Sequence, residues 1–128
     1  MSDAEKFAEL ENPPRWHFQQ GLEISVPETA QRLQAGDEGF VLIDIREPDE
    51  LAVCSVEGAV HIPMGDLATR INEIDADEDT TVALICHSGR RSLKATLYLQ
   101  QQGLAGTRSV AGWIDWWSRR IDPTVPRY

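Results

Sequence analysis

The sequence predicts an α/β domain, a central, mainly parallel five-stranded sheet flanked by helices. Three observations carry that expectation. "FVLIDI" and "TVALI" are continuous apolar runs, the pattern of strands buried on both faces of a parallel sheet. The segments between the strands carry apolar residues at helical spacing and are closed by glycine or proline. Strand-like and helix-like segments alternate along the chain, with no internal repeat and no low-complexity stretch.

Taken in order, residues 1–20 read as an extension, with a short helix at Ala4 to Leu10 that "NPP" stops. The domain itself spans residues 21–121. "LEIS" is its first short strand, and "VPETAQRLQAG" a helix with Pro27 near its start and Gly36 at its stop. "FVLIDI" is the next strand, followed by a short helix in "EPDELAVCS" and a short strand in "GAVHIP", ended by Pro63. "MGDLATRINEI" places Met64, Leu67, Ile71 and Ile74 on one helical face. "DADEDT" is a solvated acidic loop before the strand "TVALI". "SLKATLYLQQQ" is the longest helix, closed by Gly103; "TRSV" is the last strand and "WIDWWSRR" the last helix. Residues 122–128, "DPTVPRY", form a proline-punctuated tail.

Composition narrows the function. A chain of 128 residues, 41% hydrophobic and 26% charged, can bury one core without metal or disulfide staples. A net charge of −9 argues against nucleic acid and against an anionic membrane surface as partners. The longest apolar runs are about five or six residues, against the ~20 needed to cross a bilayer. The acidic N-terminus lacks the apolar core of a signal peptide, so a reducing cytoplasm is the expected location. There, Cys54 and Cys86 read as reduced thiols rather than a disulfide framework. His17, His61 and His87 have no metal-ligand spacing with the cysteines, so neither metal nor organic cofactor is expected. Nothing in the sequence specifies an oligomeric state.

The segment "CHSGRRS", Cys86 to Ser92, is the candidate site. It joins a buried strand to a helix, and ligands of open parallel sheets sit at that edge. If residues 87–91 curl into the helix, their backbone N–H groups and the positive helix end form an anion nest around the sulfur. Such surroundings favour a thiolate over a thiol. His87, Arg90, Arg91 and Lys94 add positive charge to an otherwise acidic chain. Gly89 permits a tight cradle, and Ser88 and Ser92 offer hydroxyl donors. The plain alternative is a structural cysteine ending a strand beside solvated arginines.

Here the sequence resembles the rhodanese-like family of sulfurtransferases. The family loop pattern C-x-x-G-x-R-S is matched by Cys86, Gly89, Arg91 and Ser92. "DIRE" at Asp44 to Glu47, "GAVHIP" at Gly58 to Pro63 and the closing "SVAGWIDWW" are similar to further family segments in the expected order. The resemblance implies a rhodanese-like single domain that carries sulfane sulfur on Cys86, with residues 87–92 holding the anion. It further implies a small-molecule or protein sulfur donor and a thiol or cyanide acceptor. Phosphatases of related fold use a loop longer by one residue, so the spacing here suits sulfur better than phosphate. A noncatalytic binding module and a thiol redox sensor are the competing classes.

Other residues carry weaker expectations. Asp44 and Arg46 end "FVLIDIR"; they either brace the active loop through a charge pair or form a plain structural salt bridge. Cys54 lacks basic neighbours and reads as a small buried hydrophobe, with a disulfide to Cys86 as the functional alternative. The family's "GGIDAW" is replaced by "GWIDWW". Trp117 matches the family tryptophan in the core. Trp113 replaces a glycine near the expected mouth, where it either selects the sulfur acceptor or is buried under the extension beside Trp16 and Phe18.

Overall fold

The strands form where the apolar runs lie. In the computed structural model they are β1 (Glu23–Ser25), β2 (Phe40–Asp44), β3 (Val60–His61), β4 (Thr81–Ile85) and β5 (Thr107–Ala111). They make one sheet in the order β1-β5-β4-β2-β3, and every pairing is parallel. The structure describes residues 12–13, 16–53, 55–87 and 90–121, without the side chains of Val53, Arg90, Trp113, Asp115, Arg119 and Arg120. The helix expected at Ala4 to Leu10, Cys54 and the tail 122–128 lie outside the described residues.

Connections between parallel strands are carried by α1 (Val26–Gln34), α2 (Pro48–Val53), α3 (Leu67–Arg70) and α4 (Arg90–Gln101), and α5 (Trp113–Arg120) follows the last strand. Helix α1 starts where Ser25 caps it, its hydroxyl accepting from Glu28 N at 3.2 Å. It ends at Ala35, and Gly36 turns the chain away with φ +65°. The "MGDLATRINEI" segment is not one helix. It is α3 between two 3₁₀ turns, Met64–Asp66 and Ile71–Glu73. Gly65 and Asn72 are weak helix formers, and Arg70 leaves the α geometry at φ −108°. Leu67 and Ile74 still reach the core, so the apolar spacing is met by three short turns.

Strand parity divides the core between the two faces of the sheet. Leu42, Ala83, Ile85 and Val110 pack on one face with Val26 and Ala30 of α1 and Ile114, Trp116 and Trp117 of α5. Ile43, Val82, Leu84 and Cys86 lie on the other with Leu67, Ala95 and Leu99. Both faces being covered is why the strands read as unbroken apolar runs. Before β1, Glu23 holds the incoming chain. Its carboxylate, only 5% exposed, accepts from Trp16 Nε1 at 3.1 Å and Gln19 N at 2.9 Å. Phe18, by contrast, is exposed.

This topology creates a crevice. After β4 the chain enters α4, whose Ala95 and Leu99 pack on one face. After the neighbouring β5 it enters α5, whose Ile114, Trp116 and Trp117 pack on the other. The loops after β4 and β5 therefore diverge, and a ligand site is expected between them at the carboxyl edge.

Candidate active site

Cys86 is the residue directly after β4, at the mouth of that crevice. Parity turns its side chain to the face that α4 covers, and it is fully buried. The backbone is fixed from the opposite side of the crevice, where Ile114 N of α5 donates to the Cys86 carbonyl at 3.3 Å. The chain reaches that position through Gly112, whose φ of +94° suits glycine. A Cβ there would also lie 2.5 Å from Trp116 Cβ, so the close approach of α5 requires glycine.

The sulfur faces the first turn of α4. Cys86 Sγ lies 3.2 Å from Ser92 Oγ, the thiol donating when protonated and the sulfur accepting once ionised. Ser92 Oγ in turn lies 2.6 Å from Ser109 Oγ on β5. All three side chains are buried. The arrangement brings a thiol and two hydroxyls into one row at the sheet's carboxyl edge, beside the N-terminal end of a twelve-residue helix.

A second network frames this row. The Arg46 guanidinium donates to both Asp44 oxygens, from Nε at 3.0 and 3.1 Å and from Nη2 at 2.7 Å, and the pair is withdrawn from water. The Arg46 backbone N–H adds a bond to Asp44 Oδ1 at 3.0 Å. His61 Nε2 donates to the Arg46 carbonyl at 2.7 Å, tying β3 to the same corner. Arg46 Nη1 also reaches the Glu50 carbonyl at 3.5 Å. From α2, the Glu50 carboxylate receives Arg91 in a two-pronged pair, both N–O distances being 2.7 Å. Arg91 holds the Glu50 carboxyl down to about 2, with help from Glu47 N and the Arg46 charge, and burial opposes the shift.

Of the residues singled out in the sequence, the fold brings Cys86 and Ser92 into contact and places Asp44 and Arg46 in one buried pair. Arg91 engages Glu50, and His87 is half-buried beside Cys86. Ser88 and Gly89 lie outside the described residues, as do the side chains of Arg90 and Trp113, which stand at the first positions of α4 and α5. Trp117 is in the core, as is Trp116. Sequence reasoning missed Glu50 and Ser109. Glu50 stands four residues after Arg46 in "REPDE", a hint of a shared corner. Ser109 had no local signal, because it reaches the site only through strand register.

The model of the Rhodanese-like domain family matches residues 25–120. A sulfurtransferase of Allochromatium vinosum is 39% identical over 103 residues, 80% of this chain and 94% of that one. The thiosulfate sulfurtransferase of Pseudomonas entomophila is 36% identical over 91 residues, 71% of this chain and 80% of its own length. Among solved structures, a human single-domain sulfurtransferase superposes with a TM-score of 0.62 at 29% identity, covering 74% of this chain and 93% of that one. These relatives support a role in sulfur transfer. With the domain model matched over most of the chain and the thiol at the sheet's switch point, this protein belongs to the rhodanese-like family.

Proposed function

We propose that the protein is a sulfurtransferase that carries sulfane sulfur on Cys86. The observation that carries the reading is the buried sulfur at the crevice, 3.2 Å from the Ser92 hydroxyl at the start of α4. The Cys86 thiolate attacks the outer sulfur of a donor such as thiosulfate or a protein persulfide. A sulfur–sulfur bond forms at Cys86 as the donor's own breaks, and the electron pair leaves on sulfite or on the donor thiolate. An acceptor thiolate, or cyanide in an assay, then attacks the terminal sulfur, and the pair returns to Cys86. The two half-reactions balance without an external oxidant and predict ping-pong kinetics.

In this reading the backbone N–H groups of residues 87–91, with the Ser88 and Ser92 hydroxyls, hold both the thiolate and the persulfide anion. Gly89 allows the chain to curl close to the sulfur, while His87, Arg90 and Arg91 draw an anionic donor to an acidic protein. Trp113 narrows the mouth and so selects the acceptor. Asp44, Arg46 and Glu50 brace the loop through Arg91. The reading places the chain in the cytoplasm, which fractionation of cells checks.

Intact mass spectrometry after incubation with thiosulfate is the test. Wild-type protein gains one sulfur atom, cyanide removes it, and Cys86→Ser gains none. Addition of oxygen instead of sulfur identifies a redox sensor, and an unchanged mass identifies a binding module.

A further inference from the structure

Ser109 lies outside the loop motif but within the row of polar side chains that ends on the sulfur. It is on β5, in register with Leu84, and is buried. Parity turns it away from Val110, which packs on the opposite face, and toward the face of Leu84 and Cys86. Its hydroxyl lies 2.6 Å from Ser92 Oγ, which is its side-chain partner among the described residues. Ser92 Oγ lies 3.2 Å from Cys86 Sγ.

A buried hydroxyl carries one proton, and that proton needs an acceptor. For Ser109 the acceptor at hand is Ser92 Oγ. Once Ser92 accepts from Ser109, its own proton is available to the sulfur, 3.2 Å away. The opposite order, with the thiol donating to Ser92 and Ser92 donating to Ser109, leaves the Ser109 proton buried without an acceptor among the described residues. The row therefore has a preferred direction, from β5 to the sulfur, and aligned donors strengthen one another. It favours whichever form of the sulfur accepts best, and that is the anion.

We infer that Ser109 is a positioning residue for sulfur transfer: it donates to Ser92, so that Ser92 donates to the Cys86 thiolate and, after loading, to the persulfide. This rests on the reading of Cys86 as the sulfur carrier. The titratable and charged groups at this corner are His87, which follows Cys86, the Arg91–Glu50 pair of α4 and α2, and the Asp44–Arg46 pair at the end of β2. Arg108, beside Ser109, donates instead to the Ala105 and Thr107 carbonyls. A substitution at Ser109 alters none of these charges.

The experiment compares wild type, Ser109→Ala and Ser109→Thr. The rate of iodoacetamide labelling of the Cys86 peptide is measured by mass spectrometry from pH 5 to 10. Losing the directing donor moves the midpoint of the Ser109→Ala profile upward by about one pH unit, making labelling about tenfold slower on the acid side. Ser109→Thr keeps the hydroxyl and restores the wild-type profile. Should Ser109→Ala fail to fold, the isosteric pair Ser109→Thr and Ser109→Val makes the same comparison. Superimposed profiles with and without the hydroxyl overturn the inference. Thiosulfate loading of the same wild-type sample keeps the two readings apart. Failure to load refutes the proposed function, whereas loading with superimposed profiles refutes only the role of Ser109.

Discussion

Glu50→Gln removes one charge and almost no volume from the corner that joins α2 to α4. In the native protein the Glu50 carboxyl is held at about 2 against its usual 4.5, chiefly by Arg91. Folding therefore favours the ionised form. The resulting stabilisation is complete above the unfolded value of 4.5 and is lost as the pH falls through about 2. At about 1.4 kcal/mol per unit, the shift sets a ceiling of about 3 kcal/mol. The Arg91 side chain is 30% exposed and that of Glu50 20% exposed, so water shares the interaction. A net contribution of roughly 1–2 kcal/mol at pH 7 follows. Urea denaturation of both proteins at low salt measures it, urea being preferred because guanidinium chloride screens ion pairs. The gap between wild type and Glu50→Gln stays constant from neutral pH to about 5, then narrows steadily toward pH 2. A gap that is absent at pH 7, or that persists unchanged in acid, refutes the reasoning.

Arg46→Ala leaves the Asp44 carboxylate buried without its guanidinium, and a loss of about 3–5 kcal/mol is expected in the melting transition. Arg46→Lys recovers only part of that, because an ammonium cannot reproduce the fork that grips both oxygens. Wild-type stability in Arg46→Ala with sulfur transfer abolished would instead assign the pair to catalysis. For Trp113→Gly, the ratio of kcat/KM values across small and bulky thiol acceptors is expected to flatten. Unchanged ratios end the idea that Trp113 selects the acceptor.

Strand and helix content was legible because hydrophobic periodicity is local. "FVLIDI" and "TVALI" announced strands covered on both faces, and the two core clusters are what covers them. "MGDLATRINEI" shows where such reading stops. Its apolar spacing survives, but the backbone meets it with short turns, since spacing constrains which side chains face inward and not how the chain delivers them. The two readings of Asp44 and Arg46 could not be separated in the sequence. The fold shows that they form a buried ion pair and that Arg46 also reaches the Glu50 carbonyl, beside the Glu50–Arg91 pair, an arrangement that serves either role.

By itself the sequence determined the α/β class, the position of the loop on a strand-to-helix junction and the identity of the thiol within it. Each of those depends on residues close together in the chain. Only the tertiary structure decided that Ser109 joins Ser92 at the sulfur, and that Glu50 grips Arg91 across a separation of 41 residues. Those contacts depend on which strand lies beside which and in what register. Register is set by packing the whole sheet at once, so no single segment carries it.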